Sequence, residues 1–192
     1  MLLQKLELWL HLTKSHGIIR RYFVVNGFDG ALTMLGLITG FYLSDQAALG
    51  VVISACLGAA IALGISGFSS AYLSESAERR KALAELESAM VDDLSDSAHA
   101  YAARGIPLLI ALVNGSAPLL MSLLIITPLG LAKSGVDLVI DPLLAAITCA
   151  FICIFGLGAF LGNIGGTSWL ISGIKTTAIA LVTVALILLI EQ

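Results

Sequence analysis

Hydrophobic residues run through this chain in five long blocks, at about 22–44, 47–74, 105–132, 139–162 and 168–190, separated by short polar breaks. A helix needs about 20 mostly apolar residues to cross a bilayer. The pattern therefore predicts an all-α membrane protein of five transmembrane helices. Ser44-Asp45-Gln46 reads as a tight turn between the first two spans. Lys133 to Pro142 connects the third and fourth, and Asn163 to Thr167 the last two. The only sizeable polar segment, 75–104, reads as a short helical insert that continues the second span into water, in what is otherwise a single five-span domain over 1–192. Met1 to His16 interleaves Lys5, Glu7, His11 and Lys14 with Leu2, Leu3, Leu6, Trp9 and Leu10. That spacing predicts an amphipathic helix lying on the bilayer surface. The segment lacks the uncharged core and small-residue cleavage site of a secretory signal.

Composition agrees with the pattern. The chain is 58% hydrophobic and 12% charged, against about 45–50% and about 25% in soluble domains. Its net charge of −3 and longest basic run, Arg79-Arg80-Lys81, give no footing for a nucleic-acid partner. Cys56, Cys149 and Cys153 all fall in apolar stretches and read as small buried hydrophobes. Lys5, Lys14, Arg20, Arg21, Arg79, Arg80, Lys81 and Arg104 share one side of a five-span topology, whereas Lys133 lies in a loop on the other and Lys175 within the last span. The positive-inside rule then puts the N-terminus and the 75–104 segment in the cytoplasm, and Glu191-Gln192 on the far side. The expected location is a prokaryotic cell membrane, or a vacuole-type membrane in a eukaryote.

Small residues mark packing faces. Gly50, Ser54, Gly58, Ala62, Ser66, Ser70 and Ser74 recur at every fourth position of the second span, and such seams let helices approach closely in lipid. Gly158, Gly162 and Gly166 repeat the device in the fourth span, and Gly36 and Gly40 in the first. Pro107, Pro118 and Pro128 interrupt the third, and Pro118 frees the carbonyl of Asn114. A weak repeat joins the first and third spans: Val25-Asn26-Gly27 matches Val113-Asn114-Gly115, with Leu32, Leu35, Ile38 and Thr39 matching Leu120, Leu123, Ile126 and Thr127. Asp29 matches Ala117, so only one copy carries the charge.

Asp29 is the strongest pointer to chemistry. A carboxylate in a span costs about 2.5–3.5 kcal/mol on insertion scales, which makes it a functional-site expectation or, near a helix start, a cap. Asn26, Asp29, Gly30 and Thr33 share a helix face, with Met34 adjacent. Oxygen donors with an occasional thioether suit borderline divalent ions such as Fe²⁺ or Mn²⁺. The stripe is too sparse to hold an ion alone, so a two-fold partner or Asn114, Met121 and Cys56 would have to complete the pathway. On the polar segment, Glu78, Glu85, Asp92, Asp93, Asp96 and His99 form a second donor set, readable as a metal-collecting surface or as an ordinary solvated helix. No nucleophile–base pair, metalloprotease motif or second intramembrane aspartate is present, so no enzyme is expected.

Arg20 through Asn26-Gly27-Phe28-Asp29-Gly30, together with Tyr72-x-Ser74 leading into a charged helix, resembles the vacuolar iron transporter family. The resemblance covers the hydrophobic portion of the chain. It implies a homodimer that moves Fe²⁺ or Mn²⁺ out of the cytosol in exchange for protons, with Asp29 lining the pathway and the metal as substrate rather than cofactor. The chain departs from the family at Gly67 and Ala71, where a methionine and a glutamate are usual, and in the brevity of its insert. A non-transporting membrane scaffold or assembly protein that keeps the family fold is the other expectation.

Overall fold

The computed structural model describes residues 16–44, 48–90 and 97–190. The surface helix expected over Met1 to His16, the turn at Asp45-Gln46 and the end at Glu191-Gln192 lie outside the described residues, apart from His16 itself. Five helices follow in order: α1 (His16–Ser44), α2 (Leu49–Met90), α3 (Ala98–Lys133), α4 (Pro142–Ile164) and α5 (Trp169–Ile190). All five are long and apolar enough to cross a membrane, so this is an all-α membrane protein with five spans.

Local chemistry sets the helix ends. Ser97 Oγ accepts from the Ala100 N–H at 3.2 Å and caps α3. At its other end Gly135, with φ +85°, turns the chain into a Schellman arrangement in which Gly135 N–H donates to Ala132 and Val136 N–H to Leu131, each at 3.1 Å. Asp141 caps α4 by accepting from Leu143 and Leu144 at 2.9 and 3.2 Å, and Pro142 follows at the position where a missing N–H costs nothing. Gly166, expected on the packing seam, instead sits at φ +68° in the turn after α4 and touches nothing.

The 42 residues of α2 make a rod about 63 Å long, roughly twice the hydrocarbon thickness. Residues 75–90 therefore continue the span rather than forming a separate element.

The chain packs as two compact units, one from Met1–Phe23 and Gly64–Ser116, the other from Val24–Leu63 and Ala117–Gln192. The first has a small core of Ala71, Ala102, Ile106, Ile110 and Ala111, with Ile18, Tyr22 and Phe68 against it. The second is built on Met34, Leu35, Ile38, Val52, Cys56, Ile125, Leu129 and Ile154. Within this second unit α4 and α5 meet through the expected small residues. A side chain on Gly158 would run into Thr176, and one on Gly162 into Ser172. Several hydroxyls in the spans bond to their own helices, as Thr127 does to Leu123, Thr148 to Leu144 and Thr183 to Ile179. Large apolar side chains such as Ile171, Leu181, Val182 and Leu189 cover the outside of α5, as a lipid solvent requires.

Candidate functional site

Asp29 lies thirteen residues after the start of α1, so it caps no helix end. Its side chain is exposed, in a helix long and apolar enough to cross a membrane. Neither salt bridge among the described residues involves it. Gly30, next to it, is buried with the Pro118 backbone against it: a Cβ there would stand 2.7 Å from both Pro118 Cα and its carbonyl oxygen. This contact fixes which way Asp29 faces. Asn26 and Thr33 are half-buried on the same stripe. Beyond Thr33 the face continues as a shallow groove of about 340 Å³ lined by Gly36, Leu37, Gly40, Phe41 and Ser44. The groove is the counterpart of the small residues read from sequence, since Gly40 has nothing within 4 Å and Gly36 meets only Ile187 at 3.8 Å.

The remaining expected donors separate. Met34 and Cys56 are fully buried in the core of the second unit. Met34 stands five residues from Asp29, which on an α-helix is a different face. Met121 packs beside Gly27, its Cγ 3.5 Å from the Cβ position there. Asn114, in the first unit, is 3% exposed and donates its amide to the Gly67 carbonyl at 2.6 Å. Glu78, Glu85 and His99 are exposed, and Glu85 pairs with Lys81 at 3.9 Å. Asp92, Asp93 and Asp96 lie outside the described residues. Among the described residues no three His, Cys, Asp or Glu side chains converge to hold a metal.

Two polar features escape the pattern reading. In the first unit Glu75 is 9% exposed. Tyr22 donates to it at 3.3 Å, and the Arg79 guanidinium stands 3.8 Å away. The i, i+4 spacing of Glu75 and Arg79 was available as a signal; the third partner, on another helix, was not. In the second unit the hydroxyls of Thr39 and Ser122 are buried with no hydrogen-bond partner among the described residues. Isolated threonines and serines in apolar runs carry no sequence signal that separates them from self-satisfied ones.

Gly67 stands where the vacuolar iron transporter resemblance expects methionine. Its Cβ position is 3.1 Å from the Asn114 carbonyl oxygen and 3.4 Å from the Asn114 amide nitrogen. In this chain the space for a long side chain is filled by Asn114.

The uncharacterized protein MJ0645 of Methanocaldococcus jannaschii is 30% identical over 175 residues, covering 90% of this chain and 88% of the archaeal one. The chain belongs to the family of that archaeal protein. The match spans nearly all of both chains, so it takes in the five spans as a set rather than one helix. No protein-family model matches the sequence. No solved structure matches it either.

Proposed function

We propose that the protein carries divalent transition-metal cations, iron or manganese, out of the cytosol by exchange for protons, with Asp29 as the ion-binding carboxylate. One observation carries this reading: an exposed carboxylate thirteen residues into a helix long and apolar enough to cross a membrane, on the same face as Asn26 and Thr33. Such a group is costly in lipid unless a cation or a proton visits it. A low-dielectric setting makes the two compete for one carboxylate, which is the chemistry of exchange.

The stripe of exposed Asp29 with half-buried Asn26 and Thr33 supplies half of a coordination sphere. A homodimer through the small-residue faces of α1 and α2 would supply the other half and cover the groove. The expected orientation places the N-terminus in the cytoplasm of a prokaryotic-type membrane. The two unpartnered hydroxyls, Thr39 and Ser122, favour a route that water can enter, because water is the partner their environment lacks.

Purified protein in liposomes tests the assignment. Asp29→Asn and Asp29→Ala are expected to reconstitute normally and to lose Fe²⁺ and Mn²⁺ flux. Undiminished flux in those variants rejects it.

A second reading is a non-transporting scaffold that keeps the fold. It is favoured by the dispersal of Met34, Cys56 and Asn114 into packed positions. Titration of the purified protein with Fe²⁺ and Mn²⁺ separates the two. Absence of binding at micromolar metal would support the scaffold.

A further inference from the structure

α4 carries two thiols one turn apart, Cys149 and Cys153, both half-buried. Residues four apart on a helix stand one above the other, so the two thiols are neighbours on one face of α4. Cys149 also reaches α3, donating its own proton to the Leu124 carbonyl at 3.6 Å. That carbonyl lacks its helical donor because residue 128 is a proline, which has no N–H. Cys149 therefore spends its proton on Leu124, which leaves its sulfur lone pairs free on the face it shares with Cys153. The proton available for exchange is that of Cys153.

We propose that Cys149 and Cys153 form a two-sulfur site for a monovalent thiophilic cation of the Cu⁺ or Ag⁺ class. Soft sulfur donors select such ions, and two ligands suffice for them. The exchange balances simply. Cys153 S–H and Cys149 S–H plus M⁺ give Cys153 S–M–S(H) Cys149 plus one released proton. The cation replaces the Cys153 proton, and the Cys149 proton stays on Leu124. No net charge is added to a low-dielectric region, where an unbalanced charge is costly. A divalent ion fits worse. Displacing one proton would leave it with a net positive charge, and displacing both would strip Leu124 of its donor. This site is chemically distinct from the oxygen stripe at Asp29 and does not depend on the transport reading.

The test uses the full chain purified in detergent with reduced thiols and Ag⁺ as probe. Metal retained after desalting and protons released are both counted. One silver ion and one proton per chain are expected. Cys153→Ala removes the bridging ligand while keeping the Cys149–Leu124 bond, so it is expected to fold and to lose the retained silver. Cys56→Ala is expected to keep it. Sulfur-only coordination by X-ray absorption would agree. The proposal is overturned if Cys153→Ala, shown folded by size exclusion, retains silver as the wild type does. Failure of the wild type to retain silver, or its loss only in Cys56→Ala, overturns it equally.

Discussion

Gly30 and Pro118 bring the backbones of α1 and α3 together, with no room for even a methyl group between them. The obstruction at Gly30 is the Pro118 Cα and carbonyl, which cannot rotate away as a side-chain tip could. Gly30→Ala is therefore expected to destabilise the protein by about 1–3 kcal/mol, the range for inserting carbon into packed structure. Gly40→Ala adds the same methyl where nothing lies within 4 Å, and should be neutral. Thermal unfolding of both variants in one detergent makes the comparison. Equal melting temperatures would show that this contact does not constrain the fold.

Thr39 and Ser122 point to an opposite effect. A buried hydroxyl without a partner costs about 1–3 kcal/mol relative to an apolar replacement of similar shape. Thr39→Val and Ser122→Ala should raise the melting temperature, which is unusual for core substitutions. If these hydroxyls line a wet route, the same variants should also slow metal flux. A fall in stability for both would mean that each hydroxyl has a partner in the membrane.

The five spans were legible because a bilayer imposes one length and one polarity on every crossing helix. The caps at Ser97, Gly135 and Asp141 were not read, and α3 begins at Ala98 rather than near 105 because Ser97 caps it within the polar segment. The continuation of α2 past Ser74 was legible, since nothing in Glu75 through Met90 breaks a helix. Within the site, Asp29, Asn26 and Thr33 could be placed on one face from spacing alone. Cys56 is buried, as its apolar stretch suggested, but the burial of Met34 and Asn114 could not be read, because it depends on which other helix comes alongside. The matched glycines of the weak repeat, one in each unit, meet different neighbours. Gly27 lies against Leu157 in one, and Gly115 against the Gly64 carbonyl and Phe68 in the other.

Glu75 and Arg79 form a nearly buried pair, with side chains 11% and 16% exposed. Breaking such a pair from one side leaves an uncompensated charge at a cost of about 3–5 kcal/mol, whereas replacing both groups by apolar residues is often neutral. Glu75→Leu should therefore be strongly destabilising, and Glu75→Leu with Arg79→Met should recover most of the loss. Tyr22→Phe should cost less than Glu75→Leu, because it removes a single hydrogen bond of about 1 kcal/mol. A double-mutant cycle read by chemical denaturation checks this. Additive losses would mean that the two side chains act independently.

The small-residue face of α2 is bare in the single chain. Ser54, Gly58, Ala62, Ser66, Ser70 and Ser74 are all exposed, and Gly58 has nothing within 4 Å. Lipid tails can cover such a face, but they gain less dispersion contact from it than a closely fitted helix does. If the proposed homodimer uses it, Gly58→Leu should leave the protomer folded, because the added side chain meets no atom of its own chain. The same change should push two copies apart, since a leucine cannot fit where helix backbones approach closely. The expected readout is a higher monomer fraction in liposomes by single-molecule photobleaching, with unchanged helicity. Flux would fall in parallel if the copies share the ion. A wild-type dimer fraction in Gly58→Leu would move the interface away from this face and leave the α1 groove as the surface to test next.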